Sequence, residues 1–318
     1  MQHRLKVLAI CSPIGMLWLL LGGTLVSKTE SGDGCGSSFP LCNGKWFPTE
    51  ITTELIIEIS HRITTVLVSL LILMFVFYSW KLLGRYWEIK FLSLLSIAFI
   101  VIQSLIGAAN VVWGQSDFFL ATHFGISLIS FAGILLLSLC VFELLRKGKP
   151  SELQFDKRMK FHSIGVLLYS LIVIYSGALV QHTYSSYVCL DWPFCDNSSI
   201  GLPNNMYEWI HMIHRAMAGL LFLWILYAAL IVNRSYKNQP TIYYSWLFAL
   251  LFISLQVISG AFVVFTKVHL AVSLLHSLFI SCLFGILSYI LFQIYRNWVN
   301  DKKENIDLPV DQLTEKPI

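Results

Sequence analysis

Two short clusters of ionisable residues recur inside apolar segments of this sequence. The first is Glu58-Ile59-Ser60-His61-Arg62 and the second is His211-Met212-Ile213-His214-Arg215, so the His-Arg pair repeats from 61 to 214, an offset of 153. Two further histidines, His123 and His276, are separated by the same offset. A polar residue is costly inside a bilayer, so a histidine there usually faces the interior of a helix bundle and has a function. The repeat indicates a tandem duplication with one pair of histidines in each half.

Paired histidines on facing helices can hold the iron of a haem. The segments that carry His61 and His123 run in the same direction, and both histidines are expected roughly 10 Å below the outer edge of the bilayer. The same reasoning pairs His214 with His276. Two neutral imidazoles at one level provide the axial ligands of a haem iron, whereas copper or zinc would need a third or fourth ligand nearby. The alternative is a set of core histidines hydrogen-bonded across helices, and two repeated pairs at equal depth favour haem ligation.

Glu58 has no counterpart in the second half, where His211 replaces it. It precedes His61 by three residues and therefore lies on the same helix face, one turn nearer the outside. A carboxylate there would lie beside a haem, although it could also be an interfacial acid or a partner of Arg62. The difference between the halves indicates that the first site carries out the chemistry and the second site transfers electrons. Arg62 and Arg215 could reach the surface or neutralise haem propionates, and we favour the propionates.

The composition requires a membrane to position these residues. Of 318 residues 56% are apolar and 13% charged, and the mean hydropathy is +0.70. Such values are typical of an integral membrane protein. The scattered basic residues form no stripe with aromatic residues, which gives no indication of nucleic-acid binding. Eight apolar segments are long enough to cross a lipid bilayer. They lie near 7–27, 52–80, 91–113, 119–145, 159–181, 207–233, 241–265 and 269–295.

The distribution of basic residues predicts the orientation in the membrane. Most of the 22 lysines and arginines lie at the segment ends on the side of the two termini. The exceptions are Lys28, Lys45, Arg62, Arg215 and Lys267. By the positive-inside rule both termini are cytoplasmic, and the long loops near 28–51 and 182–206 are extracytoplasmic.

The duplication also predicts the domain organisation. Four spans return the chain to its starting side, so the halves share one orientation and should be related by a pseudo-twofold axis along the membrane normal. The expected fold is an all-α integral membrane protein with eight transmembrane helices in two tandem four-helix bundles. The N-terminal bundle is expected at 1–150, the C-terminal bundle at 151–299, and a disordered cytoplasmic tail at 300–318.

Each outer loop carries two cysteines. They are Cys35 and Cys42 in the first loop, and Cys189 and Cys195 in the second. On the outer face of a bacterial-type membrane these pairs can form the disulfides Cys35–Cys42 and Cys189–Cys195. The alternative is a redox-active pair that relays electrons, which requires an exposed or strained bond.

Taken together, these motifs resemble the bacterial haem A synthase family. The resemblance extends from Gly22 to about residue 290 and rests on Glu-x-x-His-Arg, His-x-x-His-Arg, and the sequences around His123 and His276. The cysteine pairs are similar to those of the cysteine-containing branch of this COX15/CtaA-type family.

The resemblance implies an oxidoreductase that converts the C8 methyl group of haem O to a formyl group through an alcohol, giving haem A for a terminal oxidase. It implies that His61 and His123 hold the substrate haem O in the N-terminal bundle and that Glu58 is a catalytic, proton-handling residue. It also implies that His214 and His276 ligate a resident haem b in the C-terminal bundle.

The same resemblance implies partners in the cell membrane. Haem O synthase is the expected source of substrate and assembly of the terminal cytochrome oxidase the expected use of the product. The sequence does not identify the electron donor. A bis-histidine iron has no open position for O₂, so either one histidine leaves or the oxidation proceeds by outer-sphere electron loss and attack of water.

Two other functional classes compete with this interpretation. A non-catalytic bis-histidine di-haem cytochrome that transfers electrons from quinol would have the same composition and histidine pairing, but it has no need of a carboxylate in one half only. A thiol oxidoreductase that uses the loop cysteines would leave the histidines unexplained. The sequence therefore favours haem A synthesis.

Overall fold

The computed structural model describes residues 1–46, 50–114, 116–148, 153–195 and 203–307. Within these ranges the chain is helical, with no strand. The eight long helices are α1 Gln2–Lys28, α2 Thr53–Leu83, α3 Trp87–Trp113, α4 Asp117–Lys147, α5 Lys157–His182, α6 Met206–Ser235, α7 Pro240–Phe265 and α8 Leu270–Asp307. Two short 3-10 helices, Ser31–Asp33 and Ser185–Tyr187, begin the two outer loops.

All eight long helices are long and apolar enough to cross a membrane, as the sequence predicted. Several extend beyond the apolar segments, because a helix continues past the hydrocarbon core into the headgroup region. Helix α1 thus begins at Gln2, ahead of two basic residues, and α8 continues to Asp307, into the segment that the sequence predicted as a tail. Residues 308–318 lie outside the described part of the chain.

Polar side chains cap the helices that follow the longer connections. The side chains of Thr52, Ser116, Asp156 and Asn205 accept hydrogen bonds from backbone N–H groups in the first turns of α2, α4, α5 and α6. Such caps satisfy donors that have no partner within the helix. They fix where each helix begins, and therefore the height of every side chain along it.

The helices pack around one continuous apolar core. In the first half α1 packs against α2 and α4, and α3 against α4; in the second half α5 packs against α6, and α7 against α6 and α8. Helices α4 and α8 join the two halves. Large apolar side chains such as Trp18, Leu67 and Phe77 remain exposed on the outer faces. Exposed apolar faces on spanning helices are the surfaces that lipid covers, so the chain is a multi-pass membrane protein.

A buried ion pair links α4 to α8. Arg296, which is 1% exposed, donates from Nη1 to Oε2 of Glu143 at 2.6 Å and from Nη2 to Oε1 at 3.4 Å. It also donates to the side-chain oxygen of Gln293 at 2.5 Å. The two ionised partners are 153 positions apart, which is the offset of the histidine repeat.

Candidate functional site

One large cavity lies among the helices and extends across both halves of the molecule. Its volume is about 1240 Å³, above the roughly 300–1,000 Å³ of common small-molecule pockets. The lining includes the four duplicated histidines, His61, His123, His214 and His276, together with Glu58. The structure therefore brings the predicted ligand residues and the predicted acid to one space.

Each of the four imidazoles lies against a glycine of the preceding helix. A Cβ atom added to Gly22 would lie 2.9 Å from His61 Nδ1, and one added to Gly107 would lie 3.3 Å from His123 Cε1. In the second half, a Cβ on Gly177 or Gly260 would lie 2.9 Å or 3.2 Å from Cε1 of His214 or His276. The glycines thus form four close-fitting cradles, one behind each histidine ring.

The two histidines of the second half are also held by hydrogen bonds. His214 Nδ1 lies 2.8 Å from Ser176 Oγ, and His276 Nδ1 lies 2.9 Å from Ser259 Oγ. The amide nitrogen of Gln256 lies 2.9 Å from His276 Nε2. The sequence analysis did not assign these three partners. The two serines had a signal as differences within the aligned repeats, where Gly22 and Ile106 stand in the places of Ser176 and Ser259, whereas Gln256 has an identical counterpart in Gln103.

In the first half, Glu58 and Arg62 attach α2 to the first outer loop. Glu58 is 4% exposed, and its Oε2 accepts a hydrogen bond of 2.7 Å from the backbone N–H of Cys35. Arg62 forms an ion pair with the other carboxylate oxygen and donates from Nη1 to the carbonyl oxygen of Leu41 at 3.1 Å. The ion pair with Arg62 was one of the alternatives that the sequence left open.

In the second half, Arg215 contacts the outer loop through a single nitrogen. Its Nη1 donates to the carbonyl oxygens of Asp191 at 2.8 Å, Pro193 at 3.2 Å and Phe194 at 3.0 Å. Its Nε and Nη2 are buried without a hydrogen-bond partner in the described chain, and so is Nδ1 of His211. Arg215 therefore keeps two buried donors for an anionic ligand at the wall of the cavity.

Both outer loops are closed by disulfides. Cys35 is bonded to Cys42, and Cys189 to Cys195. The remaining cysteines, Cys11, Cys140 and Cys282, are free. Cys35 and Cys42 are buried against Leu55 of α2, so the first disulfide packs on the helix that carries Glu58.

The site fits a haem better than a multi-ligand metal ion. Among the described residues, no group of three or more histidine, cysteine, aspartate or glutamate side chains could hold a metal ion. Two histidines in each half, in a large and mostly apolar cavity, match the axial ligand pair of a haem. The Gln256 amide is a donor placed 2.9 Å from His276 Nε2, which indicates that this nitrogen carries a lone pair, as an iron ligand must. The two unpartnered donors of Arg215 suit a carboxylate substituent of the same ligand.

Comparison with known proteins gives a consistent result. Residues 6–288 match the family model COX15-CtaA, described as cytochrome oxidase assembly protein. The chain is 49% identical over 296 residues to a haem A synthase of Geobacillus thermodenitrificans, covering 93% of both chains. It is 50% identical over 305 residues to a haem A synthase of Lysinibacillus sphaericus, covering 95% of this chain and 99% of the relative. It is 47% identical over 306 residues to one of Bacillus cereus, covering 96% and 98%.

Proposed function

This chain belongs to the COX15-CtaA family of cytochrome oxidase assembly proteins, and from that premise we propose how its residues carry out haem A synthesis. The chain is an oxidoreductase that converts haem O to haem A, as the sequence predicted. The reaction oxidises the C8 methyl group of haem O to a formyl group through an alcohol. The observation that carries the proposal is that two histidine pairs, each cradled by glycines, line one cavity beside a single buried carboxylate.

The first half is the proposed substrate site. His61 and His123 would hold the iron of haem O, and Gly22 and Gly107 allow their rings to lie close against α1 and α3. Buried Glu58 lines the same cavity one helical turn from His61 and acts as the catalytic proton-handling group. A positioned carboxylate can take up protons that leave the methyl group during oxidation.

The second half is the proposed site of a resident haem b. His214 and His276 would hold its iron, and haem b, when bound, would supply electron transfer. Arg215 turns one nitrogen to the outer loop and leaves two buried donors for a propionate, and Arg62 contacts a propionate in the first half. No carboxylate stands in the place of Glu58 here, since His211 occupies it. This difference favours catalysis in the first half and electron transfer in the second.

The two halves are proposed to be tandem four-helix bundles, at 1–150 and 151–299, related by a pseudo-twofold axis along the membrane normal. At a twofold axis each residue meets its own counterpart. Three contacts support this arrangement. Gln181 donates to Ser27 at 2.9 Å and Tyr184 to Glu30 at 3.0 Å, with separations of 154 in both cases, and Arg296 pairs with Glu143 at a separation of 153.

The orientation and partners complete the proposal. Both termini and the tail 300–318 are cytoplasmic in this proposal, with the disulfide loops outside the cell membrane, and the excess of basic residues at one set of helix ends supports this orientation. Haem O synthase supplies the lipophilic substrate, an electron acceptor or donor yet to be identified exchanges electrons with haem b, and the product enters terminal cytochrome oxidase assembly.

The test is to express the chain in a bacterial host that makes haem O but lacks its own haem A synthase. Non-covalent haems extracted from the membranes are separated by chromatography and identified by mass. We expect haem A only when the chain is present, and not with a His61→Ala variant. Unchanged haem O in membranes whose purified protein contains two haems would instead establish the electron-transferring cytochrome.

A further inference from the structure

The hydrogen bonds behind the histidines differ between the two halves. His214 and His276 each have a serine hydroxyl at Nδ1, from Ser176 on α5 and Ser259 on α7. The repeat places Gly22 where Ser176 stands and Ile106 where Ser259 stands. Both substitutions remove the hydroxyl, so the first half has neither of these contacts.

The contacts of the two serines also favour one tautomer of each ring. Ser176 donates its only hydroxyl hydrogen to the carbonyl oxygen of Val173 at 2.7 Å, and Ser259 donates to that of Gln256 at 3.0 Å. At His276 the Gln256 amide donates to Nε2, so Nδ1 carries the hydrogen and Ser259 accepts it. At His214 the contact of Ser176 with the Val173 carbonyl favours the same arrangement. Nε2 is then the nitrogen with the lone pair, and at His276 an iron would take the place of the Gln256 amide that now donates to it at 2.9 Å.

No serine hydroxyl contacts the rings of the first half in the described chain. His123 Nδ1 is buried and has no hydrogen-bond partner in the ranges that the structure describes. At His61, a Cβ on Gly22 would lie only 2.9 Å from Nδ1, so this position has no room for a serine unless the ring moves. Neither ring has its tautomer or its rotation fixed by a hydroxyl.

We propose that Ser176 and Ser259 are positioning residues that make the second site a permanent haem site, and that their absence makes the first site exchangeable. A partner on the distal nitrogen of a ligating histidine fixes its orientation, raises its basicity and strengthens metal binding by about 10–100-fold. A resident cofactor requires that retention, whereas a substrate must enter and leave in every turnover. The inference rests on the proposed function, because it assigns different residence times to the haems of the two halves.

The first test removes the hydroxyls from the second site. The full-length Ser176→Ala/Ser259→Ala protein is purified with haem b and loaded with haem O, and an excess of a soluble apo-globin captures released haem. Chromatography of the captured haem distinguishes the two sites. We expect haem b to be released at least about 10-fold faster than from the unaltered chain. The midpoint potential of the haem should also be higher, because the less basic imidazoles stabilise the ferric iron less.

Matched variants separate this effect from a general loss of packing. Ser170 on α5 and Ser254 on α7 bond only to carbonyl oxygens of their own helices, at 2.7 Å in both cases, so Ser170→Ala/Ser254→Ala should retain haem b. Ser259→Thr keeps a hydroxyl and should retain it as well. The proposal would be overturned if the rate of haem b release and the midpoint potential of the Ser176→Ala/Ser259→Ala protein were equal to those of the control.

The converse test adds a hydroxyl to the first site. Ile106→Ser places a hydroxyl behind His123, whose Nδ1 has no partner in the described chain, and should slow the release of haem O by a similar factor. Release at the unaltered rate would overturn the part of the proposal that concerns the first site. These measurements need no turnover. If the serine variants behave as expected but the unaltered chain makes no haem A, the proposed function fails while the difference in retention stands.

Discussion

The Glu58 carboxylate accepts a 2.7 Å hydrogen bond from the backbone N–H of Cys35, which ties α2 to the first disulfide loop. Arg62, bonded to the other carboxylate oxygen, holds the same loop at the carbonyl of Leu41. The proposed catalytic acid is thus also part of the attachment of the loop. A change in the loop should therefore alter the position of the carboxylate, and a change of the carboxylate should alter the loop.

Glu58→Gln should abolish most haem O oxidation while leaving haem b in place. The amide oxygen of glutamine can still accept from the Cys35 N–H, so the loop is retained, but the side chain can no longer take up a proton. Loss of one positioned acid or base typically costs about 10²–10⁴-fold in rate. The measurement is the ratio of haem A to haem O in membranes, with the haem b content of the purified protein.

Glu54→Gln is the matched control, because Glu54 lies one turn earlier on α2 and is exposed. It should leave the product unchanged. Normal haem A formation by the Glu58→Gln protein would remove Glu58 from the mechanism.

Removing the first disulfide should reduce haem A formation more than removing the second. In Cys35→Ser/Cys42→Ser the loop gains conformational freedom, and the backbone N–H that holds Glu58 is no longer fixed. The second loop carries no link to a catalytic group and has three carbonyl contacts with Arg215. The comparison is haem A yield per molecule of protein in each double serine variant. Equal losses in the two variants would contradict a role of the first loop in positioning Glu58.

The helices and the residues of the cavity were predictable because their signals are local or repeated. Eight long apolar segments predict eight spans by length alone, and the offset of 153 paired His61 with His214 before any contact was known. The hydrogen bond from Cys35 to Glu58 was not predictable, because it depends on how a loop folds back over a helix. A sequence pattern does not specify that path.

For other contacts the repeated sequence contained a signal that a comparison of motifs does not reveal. Glu143 and Arg296 occupy equivalent positions, but their charges are opposite, and only packing of α4 against α8 shows that they meet. Ser176 and Ser259 likewise differ from their counterparts Gly22 and Ile106. Positions where two repeats differ in polarity mark the places where the halves have separate tasks.

Filling the cradle behind His214 should expel haem b. In Gly177→Ala the new Cβ would lie 2.9 Å from His214 Cε1. Cβ atoms in proteins essentially never come this close to another heavy atom, so the imidazole must shift. We expect purified protein with a haem b content reduced by at least about half, measured by pyridine haemochrome analysis and normalised to protein. Full haem b occupancy would contradict ligation by His214 in the observed ring position.

Gly219→Ala is the matched control for this substitution. Gly219 lies on α6 and lines the same cavity, but a Cβ there would meet no atom within 4 Å. The variant should keep its haem b. Loss of haem from both glycine variants would point to crowding of the cavity in general rather than displacement of one ligand.

Glu143→Ala should destabilise the contact between the two halves. Removing the carboxylate takes away the ion-pair partner of Arg296, which is 1% exposed inside the α4–α8 contact. Loss of one partner of a buried ion pair costs about 3–5 kcal/mol, and because Gln293 still accepts a hydrogen bond from Arg296 we expect the lower end of that range. The free energy of unfolding, measured in detergent by chemical denaturation, should fall by about that amount.

Two further variants show whether the loss of stability arises from the charge that remains on Arg296. Glu143→Leu/Arg296→Leu removes both charges and should recover most of the stability, since apolar side chains can replace a buried ion pair with little loss. Arg85→Ala removes an exposed arginine from the connection between α2 and α3 and should change the free energy of unfolding by less than about 1 kcal/mol. If the double leucine variant were as unstable as Glu143→Ala, the ion pair itself, and not the cost of leaving Arg296 without Glu143, would hold α4 against α8.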